Sequence, residues 1–402
     1  MPAILPVTLL SGLPGAGKTT LLRQLRAQSV GRRIGLIVNE LRSVDIAATG
    51  DPATGAAPDD VLVCLSPPDM QAAAAHFAQA GFDALVVEPS GFSEPTGMLE
   101  TFGAALGEQA RFDTLVTVID AWNFYRDYFS RDTVAQRVAA HGAPTGNDQR
   151  AVIDVLLDQV EFADVIVLNK CDLVNDQQRG ILLGMLRALN PRAELIEATH
   201  GRVAPASVLG TGRFDPDTTA RAAGWMQLMR GSPVPETPAF GIRSFTWQAR
   251  RPFHPMRFAQ LIHEKWRGVL RSKGYFWLAS RNGHIGEWEQ GGAISRLRSG
   301  GHWWCFTREE EWPNDADHLA HIRSSWDETW GDRRQELVFI GMGMDEAALK
   351  RRFEECLLTD EEMAFGEDAW ANLTDPLPAW HEDHDEDGQG DHPGNTPGPD
   401  RH

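Results

Sequence analysis

The sequence predicts an α/β fold, a doubly wound parallel sheet, followed by a smaller α+β domain and an acidic tail. In the first half, short apolar runs alternate with helical patterns. Only one of the thirteen tryptophans, Trp122, precedes residue 220, so the two halves differ in character. Residues 231–238 (GSPVPETP) carry prolines that interrupt helix and sheet alike. We therefore expect domains at residues 1–232 and 239–380, and a disordered tail at 381–402.

The elements of the first half follow from the apolar pattern. Predicted strands are residues 4–10, 34–38, 61–64, 84–87, 115–119 and 165–168, and predicted helices are 18–28, 68–80, 95–106 and 151–160. Strands that alternate with helices in this way form βαβ units around a parallel sheet. Continuous apolar runs such as 165–168 suit strands that are buried on both faces.

The second half has a different pattern. Predicted strands are 242–247, 275–280, 284–288 and 337–340, and predicted helices are 255–267 and 345–357. Few βαβ repeats are present, which favours a mostly antiparallel sheet. We expect its many tryptophans to build the core of this domain.

Composition excludes several classes of protein. The formal net charge of −18 argues against a nucleic-acid binder, which needs a basic face. No run of about 20 apolar residues could cross a bilayer, and the first residues lack the basic region of a signal peptide. The four cysteines have no paired spacing, which is typical of a reducing compartment. We expect a cytoplasmic protein.

Residues 12–19 (GLPGAGKT) match the phosphate-binding motif G-x-x-x-x-G-K-[ST] in full. An apolar strand precedes the motif and a helix follows it, which is the context of a P-loop NTPase. Glycines let backbone N–H groups approach phosphate oxygens, Lys18 neutralises charge, and the Thr19 hydroxyl coordinates Mg²⁺. The predicted nucleotide-binding positions here are Gly12, Gly15, Ala16, Gly17, Lys18, Thr19 and Thr20.

Asn169-Lys170-Cys171-Asp172 follows the buried strand at 165–168 and predicts the base. A carboxylate at Asp172 can accept two hydrogen bonds from the N1–H and N2–H₂ edge of guanine, which adenine does not offer. Asn169 can serve the purine N7, and the Lys170 stem can cover the ring. The sequence therefore predicts GTP rather than ATP.

Two further segments end strands near the predicted phosphates. Glu88 and Gly91 follow the strand at 84–87, where P-loop enzymes place a second acidic group and a glycine that contacts the γ-phosphate. We predict that Glu88 binds Mg²⁺ through water or orients the attacking water. Together with Lys18 and Thr19, these are the predicted catalytic residues. Asn39 and Glu40 are further candidates facing the metal or the γ-phosphate, and Asp45 is a weaker one.

The chain resembles the CobW family of P-loop GTPases. The matching segments are residues 11–20, 37–45 (IVNELRSVD), 87–95 (VEPSGFSEP), 158–173, 190–194 and 198–203 in the first half, and 243–247, 253–258, 331–341, 356–362 and 375–380 in the second. The second set is most similar to the zinc-linked branch. This resemblance implies a GTP-hydrolysing metallochaperone that delivers zinc, or cobalt, to a client metalloprotein, with slow turnover until the client binds.

One motif of the family is incomplete. Where the family has C-x-C-C, this sequence reads Cys64-Leu65-Ser66-Pro67, so only one thiol remains. Zn²⁺ prefers three or four Cys, His or carboxylate ligands. A weaker cargo site built from Cys64 with Glu40, or from Cys64 with a mobile histidine, is the expectation, and a buried thiol without a metal is the alternative.

Three alternatives stay open at this point. The first is a nucleotide-switched regulator of a client that carries no metal in its GTPase domain. The second is a small-molecule kinase that uses the same P-loop, against which Asp172 and the second domain count. The third is a passive metal buffer, because His381, His384, His392 and His402 lie among acidic residues of the tail.

Overall fold

The chain folds around two β-sheets. The computed structural model describes residues 4–38, 61–63, 66–103, 106–140, 147–216, 241–264, 266–314 and 316–380. The predicted linker at 231–238 and the tail lie outside these ranges. The first sheet occupies the N-terminal half and the second follows residue 241.

The first sheet has seven parallel strands. They are β1 (Leu5–Ser11), β2 (Ile34–Val38), β3 (Val61–Val63), β4 (Ala84–Glu88), β5 (Ala110–Asp120), β6 (Val165–Asn169) and β7 (Glu194–Glu197), in the order β3-β2-β4-β1-β5-β6-β7. Strand β1 pairs with β4 on one side and β5 on the other. The strands that follow β1 in the chain are therefore added first on one side of β1 and then on the other. Such a switch point is where open α/β sheets bind ligands, at the carboxyl ends of the strands.

Helices cover both faces of this sheet. They are α1 (Lys18–Gln28), α2 (Pro67–Gln79), α3 (Pro95–Gly103), α4 (Phe124–Tyr128), α5 (Val134–Ala140), α6 (Val152–Glu161) and α7 (Asp176–Leu189). The start of α7 is fixed by a capping box between Asn175 and Gln178. Six residues of α6 are apolar, and all six are buried in the core, which packs this helix firmly.

Helix α2 begins where the family would place two thiols. The Ser66 side chain accepts a hydrogen bond from the Asp69 backbone N–H at 3.4 Å, and Pro67 occupies the first helical turn. Serine at the N-cap and proline at the first helical position are both strong helix-start signals. Ser66 and Pro67 therefore have a structural purpose that thiols would not serve equally well.

The second sheet has five antiparallel strands. They are β8 (Ile242–Ala249), β9 (Val269–Trp277), β10 (His284–Gly291), β11 (Ile294–His302) and β12 (Gln335–Met342), in the order β11-β10-β9-β12-β8. Helices α8 (Pro255–Ile262), α9 (Ala316–Ser324), α10 (Glu346–Glu354), α11 (Asp360–Ala364) and α12 (Glu367–Trp370) accompany it. Stacked and tilted rings form the core, among them Trp247, Phe253, Phe258, Phe276, Trp288 and Phe353. The predicted aromatic core is confirmed.

Both predicted sheet types are confirmed, but two elements were placed wrongly. The strand expected at 275–280 is β9, which begins at Val269, and residues 279–281 form a 3-10 turn. Arg271 interrupts the apolar pattern there, although it is buried. The helix expected at 255–267 ends at Ile262, because the chain turns at Gly268 (φ 77°) to enter β9.

The two halves share a buried contact. Apolar residues of α6, among them Leu157, belong to one buried cluster with Leu270, Val338 and Ile340 of the second sheet. The Tyr128 hydroxyl donates to the Leu270 carbonyl at 2.7 Å. This continuous core fixes the second sheet against the helix layer of the first.

A buried ion-pair network crosses the same contact. Arg271 is 2% exposed and pairs with Glu161 at 2.8 Å and with Glu289 at 2.8 Å. Burial alone would raise the pKa of Glu289, but the Arg271 charge outweighs it and the pKa falls to about 2. The Arg271 guanidinium therefore offsets the cost of burying the charged carboxylates of Glu161 and Glu289.

No helix in the described part of the chain is both long and apolar enough to cross a membrane.

We expect Arg271→Met to lower the free energy of unfolding by ~3–5 kcal/mol, because it leaves Glu161 buried without its partner charge. Urea unfolding followed by circular dichroism measures this. Lys350→Ala is the control, since it removes the surface pair with Glu346 and should cost less than ~0.5 kcal/mol. If the two variants lost equal free energy of unfolding, the stabilising role of the buried Arg271–Glu161 pair would be contradicted.

Candidate nucleotide site

The loop between β1 and α1 has the geometry of a phosphate cradle. Gly12, Gly15 and Gly17 have φ angles of 137°, 83° and 105°, a region that favours glycine. A Cβ at Gly12 would lie 2.4 Å from the Val118 carbonyl oxygen. A Cβ at Gly17 would lie 2.3 Å from the Asn169 side-chain nitrogen. Glycine is therefore required here by both backbone conformation and close packing.

Lys18 lies over the loop, and Thr19 opens the helix behind it. The buried Lys18 ammonium donates to the Gly12 carbonyl at 2.8 Å. Thr19 is half-buried and Thr20 exposed, and the first turn of α1 carries no acidic residue. The helix N-terminus therefore presents its amides and its partial positive charge to the cradle without a competing carboxylate.

Asn169 connects the cradle to the end of β6. Its amide nitrogen donates to the Ala16 carbonyl at 3.0 Å, and its amide oxygen accepts from the Gly201 N–H at 3.0 Å. An amide NH₂ has two hydrogens, so one remains for a ligand. Asp172 lies nearby in a short 3-10 turn and is exposed. The structure thus brings the predicted guanine-binding segment to the phosphate loop.

Lys170 spans from this segment back to the cradle. It adopts a left-handed φ of 62°, and its ammonium donates to the Gly15 carbonyl and to Asp120 Oδ2, each at 2.7 Å. The left-handed conformation is uncommon outside glycine. Two contacts at the end of the side chain hold the Lys170 stem along the edge of the site.

The sequence analysis missed Asp120. This carboxylate ends β5 and is 8% exposed. It accepts hydrogen bonds from the backbone N–H groups of Trp122 and Asn123 at 3.0 and 3.1 Å, in addition to Lys170. The signal was present, since an acidic residue directly follows an apolar strand next to β1.

The loop after β7 was assigned no role but lies against the same site. The Cys171 N–H donates to the Ala198 carbonyl at 3.1 Å, which joins this loop to the guanine segment. Gly201 has a φ of 67°, and a Cβ there would lie 2.7 Å from the Leu21 nitrogen. The loop at Gly201 therefore packs directly against α1, on the side of the site where Asn169 lies.

Glu88 and Gly91 lie on the other side of the cradle. Glu88 ends β4, the neighbour of β1, and is 5% exposed. A Cβ at Gly91 would lie 2.8 Å from the Pro14 ring. The structure therefore brings both residues to the phosphate loop, as the sequence predicted.

The predicted cargo ligands, Cys64 and Glu40, lie outside the described residues. Asn39 and Asp45, which were predicted to face the metal or the γ-phosphate, also lie outside them. Within the described ranges, no three His, Cys, Asp or Glu side chains form a group that could hold a metal ion.

Asp158 of α6 faces the segment that follows Gly91. Thr96 donates to its carboxylate at 3.4 Å. Burial raises the pKa of Asp158 to about 7, and the charges of Glu94 and Glu161 add to the shift. This carboxyl group therefore titrates near neutral pH.

Comparisons with known proteins agree with this geometry. The profile of the CobW/HypB/UreG nucleotide-binding domain matches residues 6–197, and that of the cobalamin synthesis protein CobW C-terminal domain matches residues 242–357. A zinc-regulated GTPase metalloprotein activator 1 of Dictyostelium discoideum is 36% identical over 402 positions, covering 93% of this chain and 84% of the relative.

Two bacterial relatives are more distant. A zinc chaperone CobW of a Sinorhizobium species is 30% identical, over 52% of this chain and 63% of that protein. The zinc chaperone YjiA of Escherichia coli is 24% identical, over 86% and 97%.

We expect Asp172→Asn to weaken GTP binding by ~10- to 100-fold, because the lost contacts are hydrogen bonds to a charged group. Xanthosine triphosphate should bind the variant better than the wild type, since an Asn amide can donate to the xanthine C2 oxygen. Competition against a fluorescent GDP analogue measures both. Asp176→Asn, in the first turn of α7, is the control and should change neither affinity. Unaltered base preference in Asp172→Asn would exclude the role.

The raised pKa of Asp158 predicts a pH-dependent stability. Since its folded pKa lies above the ordinary value of 3.8, the ionised carboxylate costs folding free energy that begins near pH 4 and is complete above about pH 7. Asp158→Asn should therefore stabilise the protein more at pH 8 than at pH 5, by ~1–3 kcal/mol. Urea midpoints at the two pH values test this, and a gain that is larger at pH 5 would refute it.

Proposed function

Because this chain belongs to the CobW family of P-loop GTPases, we propose that it couples GTP hydrolysis to the delivery of zinc to a client metalloprotein. The observation that carries this proposal is the joined site formed by the P-loop, the guanine segment and the Glu88–Gly91 segment. Three relatives with zinc in their names support zinc as the cargo. Cobalt is the second cargo metal that we propose, because imidazole and thiolate ligands accept both metals.

The nucleotide would bind with its phosphates on residues 12–20. The amides of Gly15, Ala16 and Gly17 would donate to the phosphate oxygens, and Lys18 would leave the Gly12 carbonyl for the β/γ oxygens. On the base, Asp172 would accept from guanine, Asn169 would serve N7, and Lys170 would cover the ring. Asp120 would hold Lys170 in that position.

Mg²⁺ fits the donors on the phosphate side. Thr19 supplies a half-buried hydroxyl and Glu88 a buried carboxylate, and Mg²⁺ prefers such oxygen ligands together with water and phosphate. When bound, the ion neutralises charge that develops on the phosphates. Gly91 would contact the γ-phosphate through its backbone, and Glu88 would orient the attacking water directly or through the ion's hydration shell.

The proposed cargo site has one thiol, Cys64, where the family motif C-x-C-C has three. Cys64 and Glu40 would be ligands, and further ligands must come from elsewhere in the chain or from the client. Ser66 caps α2 rather than offering a ligand. This observation favours a second candidate function, a nucleotide-switched activator of a client that carries no metal in its GTPase domain.

The chain would divide into two domains and a tail. Residues 1–232 would form the GTPase domain, 239–380 the CobW-like C-terminal domain, and 381–402 a separate tail. The client would be a metalloprotein in the cytoplasm, where unpaired cysteines such as Cys171, Cys305 and Cys356 stay reduced.

Equilibrium binding of zinc and cobalt with Mg²⁺ and either GTPγS or GDP tests the cargo. We expect GTPγS to tighten zinc binding at least ~10-fold, a coupling of about 1.4 kcal/mol, and Cys64→Ala to abolish that gain. Cys171→Ala is the matched control, because that buried thiol donates to the Leu168 carbonyl and is not among the proposed cargo ligands. If neither nucleotide nor Cys64 alters metal affinity, the metal-free activator becomes the better account.

A further inference from the structure

Helix α6 holds the Gly91 segment, defined as residues 91–94, through side chains at both of its ends. Near its C-terminus, Gln159 Nε2 donates to the carbonyls of Gly91 and Ser93, each at 3.1 Å. Just before its N-terminus, Arg150 donates to the Phe92 carbonyl at 3.1 Å and to Glu94 at 2.8 Å. Every residue of the segment is therefore bonded to the α6 region.

The Gln159 amide can adopt only one orientation. If its oxygen and nitrogen were exchanged, the oxygen would face two carbonyl oxygens and repel both. In the orientation observed, Nε2 uses its two hydrogens and Oε1 is buried with no hydrogen-bond partner among the described residues. An unsatisfied buried acceptor costs free energy.

The backbone of Gln159 is tied to the strand that enters the P-loop. Thr117 donates from its hydroxyl to the Gln159 carbonyl at 2.6 Å, and the hydroxyls of Thr117 and Ser11 are 2.8 Å apart. Ser11 directly precedes Gly12. Gln159 thus contacts the Gly91 segment through its side chain and β5 through its carbonyl, and Thr117 of β5 connects it to the end of β1 before the P-loop.

The same helix contacts the second sheet two residues later. Glu161 pairs with Arg271 of β9, and Arg271 pairs with Glu289 of β10. At the start of α6, Asp154 pairs with Arg296 of β11. These ion pairs join α6 to three neighbouring strands of the second sheet.

We propose that Gln159 is a positioning residue for GTP hydrolysis, and that α6 links the Gly91 segment to the second sheet through the Glu161–Arg271 pair. Gln159 fixes the backbone of Gly91 against Pro14 of the P-loop. When the γ-phosphate leaves, the segment and the helix bonded to it change position together, because a packed helix moves as a unit. Arg271 then transmits that change to β9 and β10. This inference rests on the GTPase activity and not on the identity of any cargo.

The first experiment separates positioning from binding. Gln159→Met keeps the side-chain length and removes both hydrogen bonds. We expect kcat for GTP to fall at least ~10-fold while KM changes by less than ~3-fold, the pattern of a contact needed in the transition state. GDP affinity should not change.

Gln335→Met is the matched control. Gln335 is equally buried and donates from Nε2 to the Arg251 and Trp277 carbonyls at 2.9 and 2.8 Å, far from the P-loop in sequence. It should lower stability yet keep kcat. An unaltered kcat in Gln159→Met, or an equal fall in Gln335→Met, would overturn the positioning role.

The second experiment tests the link to the second sheet. Hydrogen exchange of the β9 and β10 amides is compared in GTPγS and in GDP, in the full chain. We expect a nucleotide-dependent difference in the wild type, and its loss in Gln159→Met and in Arg271→Lys. Arg271→Lys keeps the charge, so the protein should fold, and its kcat should stay within ~2-fold of wild type because the Gly91 contacts remain.

A persistent exchange difference in both variants would overturn the link. No difference in the wild type would do so as well, provided that phosphate is released from GTP. Absence of phosphate release in the wild type would instead contradict the GTPase activity itself.

Discussion

The side chain of Asn169 holds together three loops that are far apart in sequence. Its amide nitrogen bonds the P-loop at Ala16, its amide oxygen bonds the loop after β7 at Gly201, and its backbone ends β6. At 2% exposure, these hydrogen bonds form away from competing water. The positions of the phosphate cradle and of the guanine segment are therefore not independent. A nucleotide that binds one of them finds the other already oriented, which reduces the entropy lost on binding.

The sheet order makes this arrangement possible. Because β1 lies between β4 and β5, and β6 lies next to β5, the carboxyl ends of four strands meet at one edge. Glu88, Asp120 and Asn169 each end one of these strands. Their side chains need no long loops to reach the cradle, and rigid strands set their separation. The site is thus largely built from strand ends, and only the P-loop itself contributes an extended turn.

Local patterns were sufficient for the elements that carry regular apolar periodicity. Helix α1 was predicted to the residue, and the motif at residues 12–19 gave the cradle and its glycines directly. Asp120 and Gln159 were missed for different reasons. Asp120 lies at the end of an ordinary buried strand, and only its hydrogen bond with Lys170, which is 50 positions away, connects it to the proposed site. Gln159 lies in an amphipathic helix, and its importance depends on carbonyls that belong to another loop.

Buried charge explains the error in the bounds of β9. A charged residue in a strand lowers the apolar signal, so β9 was placed too late around Arg271. Only tertiary structure supplies Glu161, located 110 positions earlier, as the partner that makes its burial tolerable. The role of Ser66 could not be predicted from the sequence either. A serine at this position is consistent both with a helix cap and with the loss of a metal ligand, and only the structure shows the cap.

The core shared between α6 and the second sheet also has a consequence during synthesis. The first 200 residues emerge from the ribosome well before β9, β10 and β12 exist, and until then Leu157 and the Glu161 carboxylate face water instead of their final partners. Domains usually fold as units in the order in which they are made. Here the N-terminal half reaches its final packing only after the chain is nearly complete. Until then the nascent protein exposes an apolar and acidic face of α6, to which a chaperone can bind.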